Sequence, residues 1–151
     1  MTLISVDGEI RESRSDPDTP LLYVLRDEFG FNNPRFGCGL AQCGACVVHI
    51  DGEPVTSCVL PLGSVGKAAV VTIKGLGTPE KPHAIQLAFA EHQATQCGFC
   101  INGWVMRAAA LVRDNPKANI AEIKETMAGT KCRCGAHMSI IRAIASVTGA
   151  A

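Results

Sequence analysis

The sequence predicts an α+β protein in which a small mixed β-sheet is followed by a bundle of four short helices. Before residue 74, short runs of alternating residues are joined by Asp-Gly turns, a pattern typical of strands. After residue 79, apolar residues recur at helical spacing instead. Residues 74–79 carry the strongest breaker signals, two glycines and a proline. We therefore expect two lobes, residues 1–76 and residues 77–151.

The first lobe is predicted to begin with a β-hairpin over residues 2–14 that turns at Asp7-Gly8. A helix beginning at Leu21 and ended by Gly30 would then cross the sheet. Further strands are predicted over residues 45–50 and 70–73. Between them, another strand is predicted to follow the Asp51-Gly52 turn and to lead toward Cys58. The residues between the crossing helix and the next strand form a cysteine-rich loop, which we expect at the rim of the sheet.

The second lobe is predicted to consist of four helices, over residues 83–94, 102–114, 119–129 and 138–147. Asn119 and Glu122 resemble a capping box at the start of the third helix. Gly129 and Gly149 are the expected stop signals of the last two helices. Both remaining pairs of cysteines fall at helix ends, which favours a bundle with a metal site at one tip.

The first group of cysteines has the spacing of a plant-type [2Fe–2S] ferredoxin loop. It consists of Cys38, Cys43, Cys46 and Cys58, in which a C-x4-C-x2-C run is followed by a distant fourth member. Gly37, Gly39 and Gly44 favour tight turns with φ > 0 and a close approach of backbone N–H groups to the sulfurs. The alternative is a zinc site or a disulfide knot, although zinc sites usually use paired C-x2-4-C knuckles.

The second group of cysteines has a C-x2-C pair and, after a long gap, a C-x-C pair. It consists of Cys97, Cys100, Cys132 and Cys134, so that all eight cysteines of the chain fall into two sets of four. Zinc is a more serious alternative for this set because structural zinc uses paired knuckles. The C-x-C pair favours an iron–sulfur cluster, since zinc ligands are normally at least two residues apart.

Composition excludes several classes of function. Hydrophobic residues make up 47% of the 151 residues, and 14 basic residues balance 14 acidic ones, so neither disorder nor nucleic-acid binding is indicated. No signal peptide and no apolar run that would span a bilayer are visible. We expect a cytoplasmic protein, or a periplasmic or membrane-peripheral one if a partner subunit carries it there.

Three motifs together resemble a known family. They are Phe36-Gly-Cys-Gly-Leu-Ala-Gln-Cys-Gly-Ala-Cys46, Gln96-Cys-Gly-Phe-Cys100 and Cys132-Arg-Cys134. In this order they resemble the small iron–sulfur subunit of the molybdenum hydroxylases, which include xanthine dehydrogenase, aldehyde oxidoreductase, isoquinoline 1-oxidoreductase and nicotinate dehydrogenase. The resemblance implies a ferredoxin-like β-grasp lobe followed by a four-helix bundle lobe, each with one [2Fe–2S] cluster.

The resemblance also implies a role for each cysteine set. Cys38, Cys43, Cys46 and Cys58 would hold an outer cluster, and Cys97, Cys100, Cys132 and Cys134 an inner one. The inner cluster would lie nearest the molybdopterin, in its cytosine dinucleotide form, of a separate large subunit. Gln96 and Cys134 would lie against the pterin. The electron acceptor beyond the outer cluster would be a flavin subunit or a c-type haem domain.

Two departures from many relatives favour the isoquinoline and nicotinate type of subunit. Ile101-Asn102 stands where many relatives have Thr-Pro, and Gly135-Ala-His137 where many have Thr-Gly-Tyr. They favour an N-heteroaromatic substrate for the complex, with an aldehyde dehydrogenase complex as the alternative. No substrate-binding and water-activating constellation is apparent in this chain, so we expect it to carry electrons and its large partner to transform the substrate.

A free two-cluster ferredoxin and a zinc-stabilised interaction module are the alternatives from other classes. The apolar stretch from Val105 to Val112 favours a partner-binding surface over a free shuttle. Trp104 and Met106 are expected in the core or at a subunit interface. His137 is expected as a surface histidine that opens a helix, and Lys131 and Arg133 are either solvated or paired with the large subunit or the cofactor's phosphates.

Overall fold

The structure, a computed structural model, describes residues 1–150, so the last residue of the predicted second lobe lies outside it. Its first half contains a five-stranded mixed sheet with strand order β2-β1-β5-β3-β4. The strands are β1 (Thr2–Val6), β2 (Glu9–Ser13), β3 (Val47–Ile50), β4 (Glu53–Thr56) and β5 (Ala69–Val71). Among these pairings, β1 and β5 run parallel and the others antiparallel. The predicted hairpin and the α+β class are confirmed.

The Asp-Gly turns and strand alternation form as the sequence predicts. Asp7 and Asp51 both have φ near +50°, each followed by a glycine with positive φ, as a two-residue hairpin turn requires. Ile4 and Val6 alternate on the buried face of β1, whereas Leu3 is exposed. The last strand is shorter than predicted, because Ile73 begins the short helix α2 (Ile73–Leu76) in place of ending the strand.

The helix that crosses the sheet is not a regular α-helix. It begins as α1 (Leu21–Tyr23) and continues as a π-helical turn over Val24–Glu28, in which the N–H of Phe29 donates to the carbonyl of Val24. Gly30 ends it with φ +73°, as predicted. Its buried residues pack on the sheet in one core, which includes Ile4, Val6, Leu21, Val24, Leu25, Val48, Leu62 and Val70.

The second half is helical, as predicted. Its helices are α3 (Ala84–Glu91), α4 (Ile101–Asp114), α5 (Ile120–Met127) and α6 (His137–Thr148). The predicted capping box of α5 is present, with the Asn119 side chain accepting from two backbone N–H groups and the Glu122 side chain accepting from the N–H of Asn119. Gly149 ends α6 with φ +76°. The α5 helix ends at Met127, two residues before the glycine predicted to stop it.

The apolar stretch of α4 is part of the core and not a partner surface. Trp104, Val105, Met106 and Ala108 are each at most 2% exposed, because α4 packs against α3, α5, α6 and strand β3 within this chain. Trp104 and Met106 are therefore core residues, one of the two placements predicted. The partner-surface interpretation of residues 105–112 was wrong, since the helix lies at the centre of the bundle. Within residues 1–150, no helix is both long and apolar enough to cross a membrane.

Candidate metal centres

The first four predicted ligands come together as two pairs at the edge of the sheet. The thiol of Cys38 interacts with that of Cys43, and the thiol of Cys46 with that of Cys58. Cys46 directly precedes β3, and Cys58 follows β4, so the antiparallel pairing of these strands brings the two thiols together. Cys46 and Cys58 are buried with Leu22, whereas Cys38 and Cys43 are half-buried.

The loop folds closely around these sulfurs. The backbone N–H groups of Leu40 and Gln42 donate to Cys38 Sγ at 3.3 and 3.2 Å. These donors, Leu40 first, lower the pKa of Cys38 to about 7. A Cβ at Gly37 would lie 2.6 Å from Cys43 Sγ, so only glycine leaves room for the sulfur there. A cluster-binding loop needs short N–H···S hydrogen bonds and a glycine where the backbone comes close to a sulfur, and this loop has both.

The three glycines of the loop do not share one role. Gly39 and Gly44 have φ of +68° and +78°, which supports the turns predicted for them. Gly37 does not have positive φ, so the expectation of a left-handed turn there was wrong. The other expectation for Gly37, a close approach to a sulfur that leaves no room for a Cβ, is confirmed by the position of Cys43 Sγ.

The second four predicted ligands also come together as two pairs, from segments far apart in the chain. Cys97 follows α3 and interacts with Cys134, while Cys100 caps the start of α4 and interacts with Cys132. The N–H of Ala136 donates to Cys132 Sγ at 3.4 Å. Cys97 and Cys134 are exposed, and Cys100 and Cys132 are half-buried. The site therefore has one face on the protein interior and one face on the surface.

In each site, one thiol lies in a setting that disfavours a bare thiolate. Burial raises the pKa of Cys46 to about 12, and burial likewise raises the pKa of Cys100 to about 12. A thiolate is nevertheless the form that binds metal, so a cation must take the place of the proton. Iron supplies that positive charge when a cluster is bound, and the residues present fit such a group.

Four thiols in two neighbouring pairs fit a binuclear [2Fe–2S] cluster, which these cysteines would hold. Within residues 1–150, no group of three or more Cys, His, Asp or Glu side chains is arranged around one metal position. In each set the two pairs also lie close to each other, since Cys46 is affected by Cys43 as well as by Cys58, and Cys100 by Cys97 as well as by Cys132.

One hydrogen bond joins the two sites directly. The N–H of Lys131 donates to the carbonyl of Cys43 at 3.0 Å, and Lys131 is bonded to Cys132 in the chain. A member of the first site and a member of the second are thus linked by a short run of backbone bonds and a single hydrogen bond. The Lys131 side chain turns away, with Nζ 3.4 Å from the carbonyl of Ala128. The two sites are therefore adjacent in the fold.

The sequence did not reveal how the two lobes are held together. The buried amide of Asn102 donates to the carbonyls of Ala45 and Val47 at 3.0 and 2.8 Å. A Cβ at Gly103 would overlap the carbonyl of Gly44, so the start of α4 lies directly on the cysteine loop. The one sequence signal was that Asn102 departs from the proline common among relatives. In this chain, the amide of Asn102 contributes the two hydrogen bonds to Ala45 and Val47.

The other predicted site residues lie at the surface. Gln96 is exposed and directly precedes exposed Cys97. Arg133 is exposed between Cys132 and Cys134. His137 is exposed at the start of α6, as predicted, with its ring edge-on to Trp104 at 5.7 Å between centroids.

Comparison with known proteins identifies both halves of the chain. Residues 4–67 match the family described as "2Fe-2S iron-sulfur cluster binding domain", and residues 72–145 match the family described as "[2Fe-2S] binding domain". A nicotinate dehydrogenase subunit of Pseudomonas putida is 43% identical over 141 residues, covering 93% of this chain and 90% of that one. The chain belongs to the iron–sulfur subunits of the molybdenum hydroxylases.

Further members of the family agree with this placement. The alpha subunit of isoquinoline 1-oxidoreductase from Brevundimonas diminuta is 44% identical over 135 residues, covering 89% of this chain and 88% of that one. The solved structure of quinoline 2-oxidoreductase from Pseudomonas putida 86 superposes with a TM-score of 0.91 at 33% identity, covering 98% and 91% of the two chains.

Membership of the molybdenum hydroxylase family confirms several predictions. The chain is an electron-transfer subunit of a multi-subunit oxidoreductase and carries two [2Fe–2S] domains. The ferredoxin-like lobe followed by a helical lobe is also confirmed. Both domains are therefore of the iron–sulfur class. In the multi-subunit members of this family, a large partner subunit holds the molybdopterin.

Proposed function

We propose that this chain carries electrons, one at a time, from a molybdenum site on a large partner subunit through an inner and then an outer cluster to an acceptor. The observation that supports this direction is the contrast in exposure between the two cysteine sets. Cys97 and Cys134 open the second set to the surface, whereas Cys46 and Cys58 of the first set are buried. The hydrogen bond from Lys131 to Cys43 connects the two sets.

The proposed ligands are the eight cysteines, four to each cluster. Cys38, Cys43, Cys46 and Cys58 hold the outer cluster, and Cys97, Cys100, Cys132 and Cys134 hold the inner cluster.

Each cluster, when bound, supplies a one-electron redox centre. The protein surrounds the outer centre with the N–H donors of Leu40 and Gln42 and excludes water from Cys46 and Cys58. The buried amide of Asn102 fixes the spacing between the two sites. The chain thus holds two redox centres at a constant separation, which an electron carrier requires.

The inner cluster is proposed to face the pterin of the partner. Gln96 and Cys134 are both exposed at the inner set, where a glutamine amide can both donate to and accept from a polar pterin ring. A sulfur bound to the cluster can accept a hydrogen bond and shorten the electron's path. We propose the cytosine dinucleotide form of molybdopterin for the large partner.

The substrate, the acceptor and the compartment are proposed from the relatives. Nicotinate dehydrogenase, isoquinoline 1-oxidoreductase and quinoline 2-oxidoreductase all act on N-heteroaromatic compounds by name, so we propose a substrate of that class for the complex. An aldehyde is the alternative, since an aldehyde oxidoreductase subunit is 32% identical. A flavin subunit or a c-type haem domain is the proposed acceptor, and the cytoplasm the proposed compartment unless a partner carries the chain elsewhere.

We further propose that the two lobes divide at residues 76 and 77. The sheet and the helices have separate hydrophobic cores, which supports a division of the chain between them. Gly77 has an extended backbone and follows α2, whose Ile73 and Leu76 pack against the helical core, so the proposed boundary falls at the end of the segment that connects the two lobes.

Two matched variants of the complete complex test the order of the clusters. Cys134→Ser is expected to impair the inner cluster and to slow electron exit from the molybdenum site. Cys58→Ser is expected to impair the outer cluster while substrate still reduces the inner one. Unchanged turnover of Cys134→Ser with the physiological acceptor would contradict the pterin-side assignment. Purification of the chain without a large subunit would favour a free ferredoxin.

A further inference from the structure

An arginine of the outer cluster's loop reaches the inner cluster's loop. Arg35 lies three residues before Cys38, and its guanidinium carbon is 5.2 Å from the centroid of the Phe99 ring. Phe99 stands between Cys97 and Cys100, two proposed ligands of the inner cluster. A cation at this distance over an aromatic face is attracted to it, so the ring holds the charge beside the inner site.

The position of Arg35 is fixed from both ends. Its backbone N–H donates to the carbonyl of Ala45 at 3.1 Å, which anchors Arg35 to the cysteine loop. Its side chain lines an open cavity of about 390 Å³ together with Arg26 and Phe99. Among residues 1–150, the ion pairs of the structure do not include Arg35. Its charge is therefore not neutralised by a carboxylate of the described chain.

The neighbouring arginine is held differently. Arg26 Nη1 donates to the carbonyls of Asn32 and Pro34 at 3.0 and 2.9 Å, so Arg26 braces the turn before the cysteine loop. Of the two arginines, Arg35 is the one stacked on the ring between inner-site cysteines. Arg35 is therefore the cation that the outer loop presents to the inner site.

We propose that Arg35 sets the reduction potential of the inner cluster. The inference rests on the proposed assignment of Cys97, Cys100, Cys132 and Cys134 to that cluster. The inner cluster is reduced by one electron from the molybdenum side and is reoxidised when it reduces the outer cluster. Each reduction adds one negative charge, which a nearby fixed cation stabilises, so Arg35 raises the potential.

The test is an EPR-monitored redox titration of the complete complex with both clusters loaded. Arg35→Gln is expected to shift the inner cluster to lower potential, and by more than it shifts the outer cluster. Arg35→Lys keeps the charge and is expected to restore most of the potential. Lys117→Gln is the matched control: it removes an exposed cation past the far end of α4, about 21 Å along the helix from Cys100, and is expected to shift neither cluster.

Two results would overturn the inference. One is an unchanged inner potential in Arg35→Gln, and the other is an equal shift in Arg35→Gln and Arg35→Lys, which would indicate packing and not charge. The variant Cys97→Ser distinguishes a failure of this inference from a failure of the proposed function, because it shows which EPR signal belongs to the inner cluster. If Cys97→Ser alters neither EPR signal, the ligand assignment itself is wrong. If it alters one signal that Arg35→Gln does not shift, only the role of Arg35 fails.

Discussion

The two cysteine sites of this chain differ in how they are built. The outer site takes three of its four cysteines from one loop, with Cys46 and Cys58 buried against Leu22. The inner site is assembled from two distant segments, and Cys97 and Cys134 remain exposed. The outer site is thus partly covered by its own chain, whereas the inner site presents a face that the large partner would cover. This difference supports the proposed direction of the electron path.

The largest expected effect on cluster content comes from a substitution at Gly37, in the cysteine loop of the outer site. Gly37→Ala would place a Cβ 2.6 Å from Cys43 Sγ, a sulfur that bound iron would hold in place. We expect loss of most of the outer cluster with the inner cluster retained, measured by iron content and EPR.

The control for Gly37→Ala is Gly66→Ala. The φ of +58° at Gly66 strains an alanine, but the new Cβ meets nothing within 4 Å, so this variant reports general destabilisation without a clash at a sulfur. It is expected to keep both clusters. Retention of both clusters in Gly37→Ala as well would show that the loop is looser than the structure indicates.

The contact between the sites provides the second test. Asn102→Ala removes the side-chain donor to two buried carbonyls, those of Ala45 and Val47, of which Ala45 keeps the N–H of Arg35 as a donor. We expect a loss of about 2 kcal/mol in the free energy of unfolding, because two hydrogen bonds to buried acceptors are lost. Urea denaturation measures it, with exposed Asn32→Ala as the control. A loss no larger than that of the control would mean that Asn102 does not hold the lobes together.

A buried histidine makes the same interface sensitive to pH. His49 lies on β3 with Nε2 2.7 Å from the carbonyl of Met106, and burial lowers its pKa below the ordinary 6.5. The unfolded chain therefore binds the proton more readily. The stabilisation is fully present above about pH 6.5 and is lost as pH falls through that value toward the lower folded pKa.

The variant His49→Gln keeps a donor but does not titrate, so we expect a flatter pH dependence of the unfolding free energy below pH 6.5. His92→Gln, at an exposed histidine, should leave the wild-type dependence in place. Identical pH profiles for His49→Gln and the wild type would rule out this role of His49.

The smallest effect is expected at the rim of the interface. Arg113 bonds to the carbonyl of Gly52 and to the carboxylates of Glu53 and Asp114, all near the surface. Exposed ion pairs contribute little and are screened by salt. Arg113→Met should therefore lower the melting temperature only slightly, and less so in high salt. A large, salt-independent fall would place more of the lobe contact at this edge than we infer.

The sequence was sufficient wherever the determining interactions are local. The Asp7-Gly8 turn, the Asn119 capping box and the Gly149 stop each depend on neighbouring residues, and all three formed. The cysteine spacing likewise predicted which sets of thiols would meet. The close approach of Gly37 to a sulfur was predicted, but which sulfur it meets was not, because that depends on where a side chain six residues later comes to lie.

The features that the sequence did not reveal depend on distant contacts. An apolar stretch such as residues 105–112 has the same pattern on a buried helix as on a partner surface, and its packing against β3 distinguishes them. The π-helical turn at Val24–Glu28 shifts hydrogen bonds by one residue without changing the apolar pattern. The amide of Asn102 and the bond from Lys131 to Cys43 join residues more than fifty positions apart, which no local pattern encodes.

The central claim is that two [2Fe–2S] clusters stand in series within this chain. The most direct measurement is the iron, sulfide and zinc content of the protein from its native host, with EPR of the reduced sample. The account predicts about four irons per chain, two distinct [2Fe–2S] signals and a molybdenum-containing partner. Zinc in the Cys97–Cys134 site, or a single cluster, would contradict it.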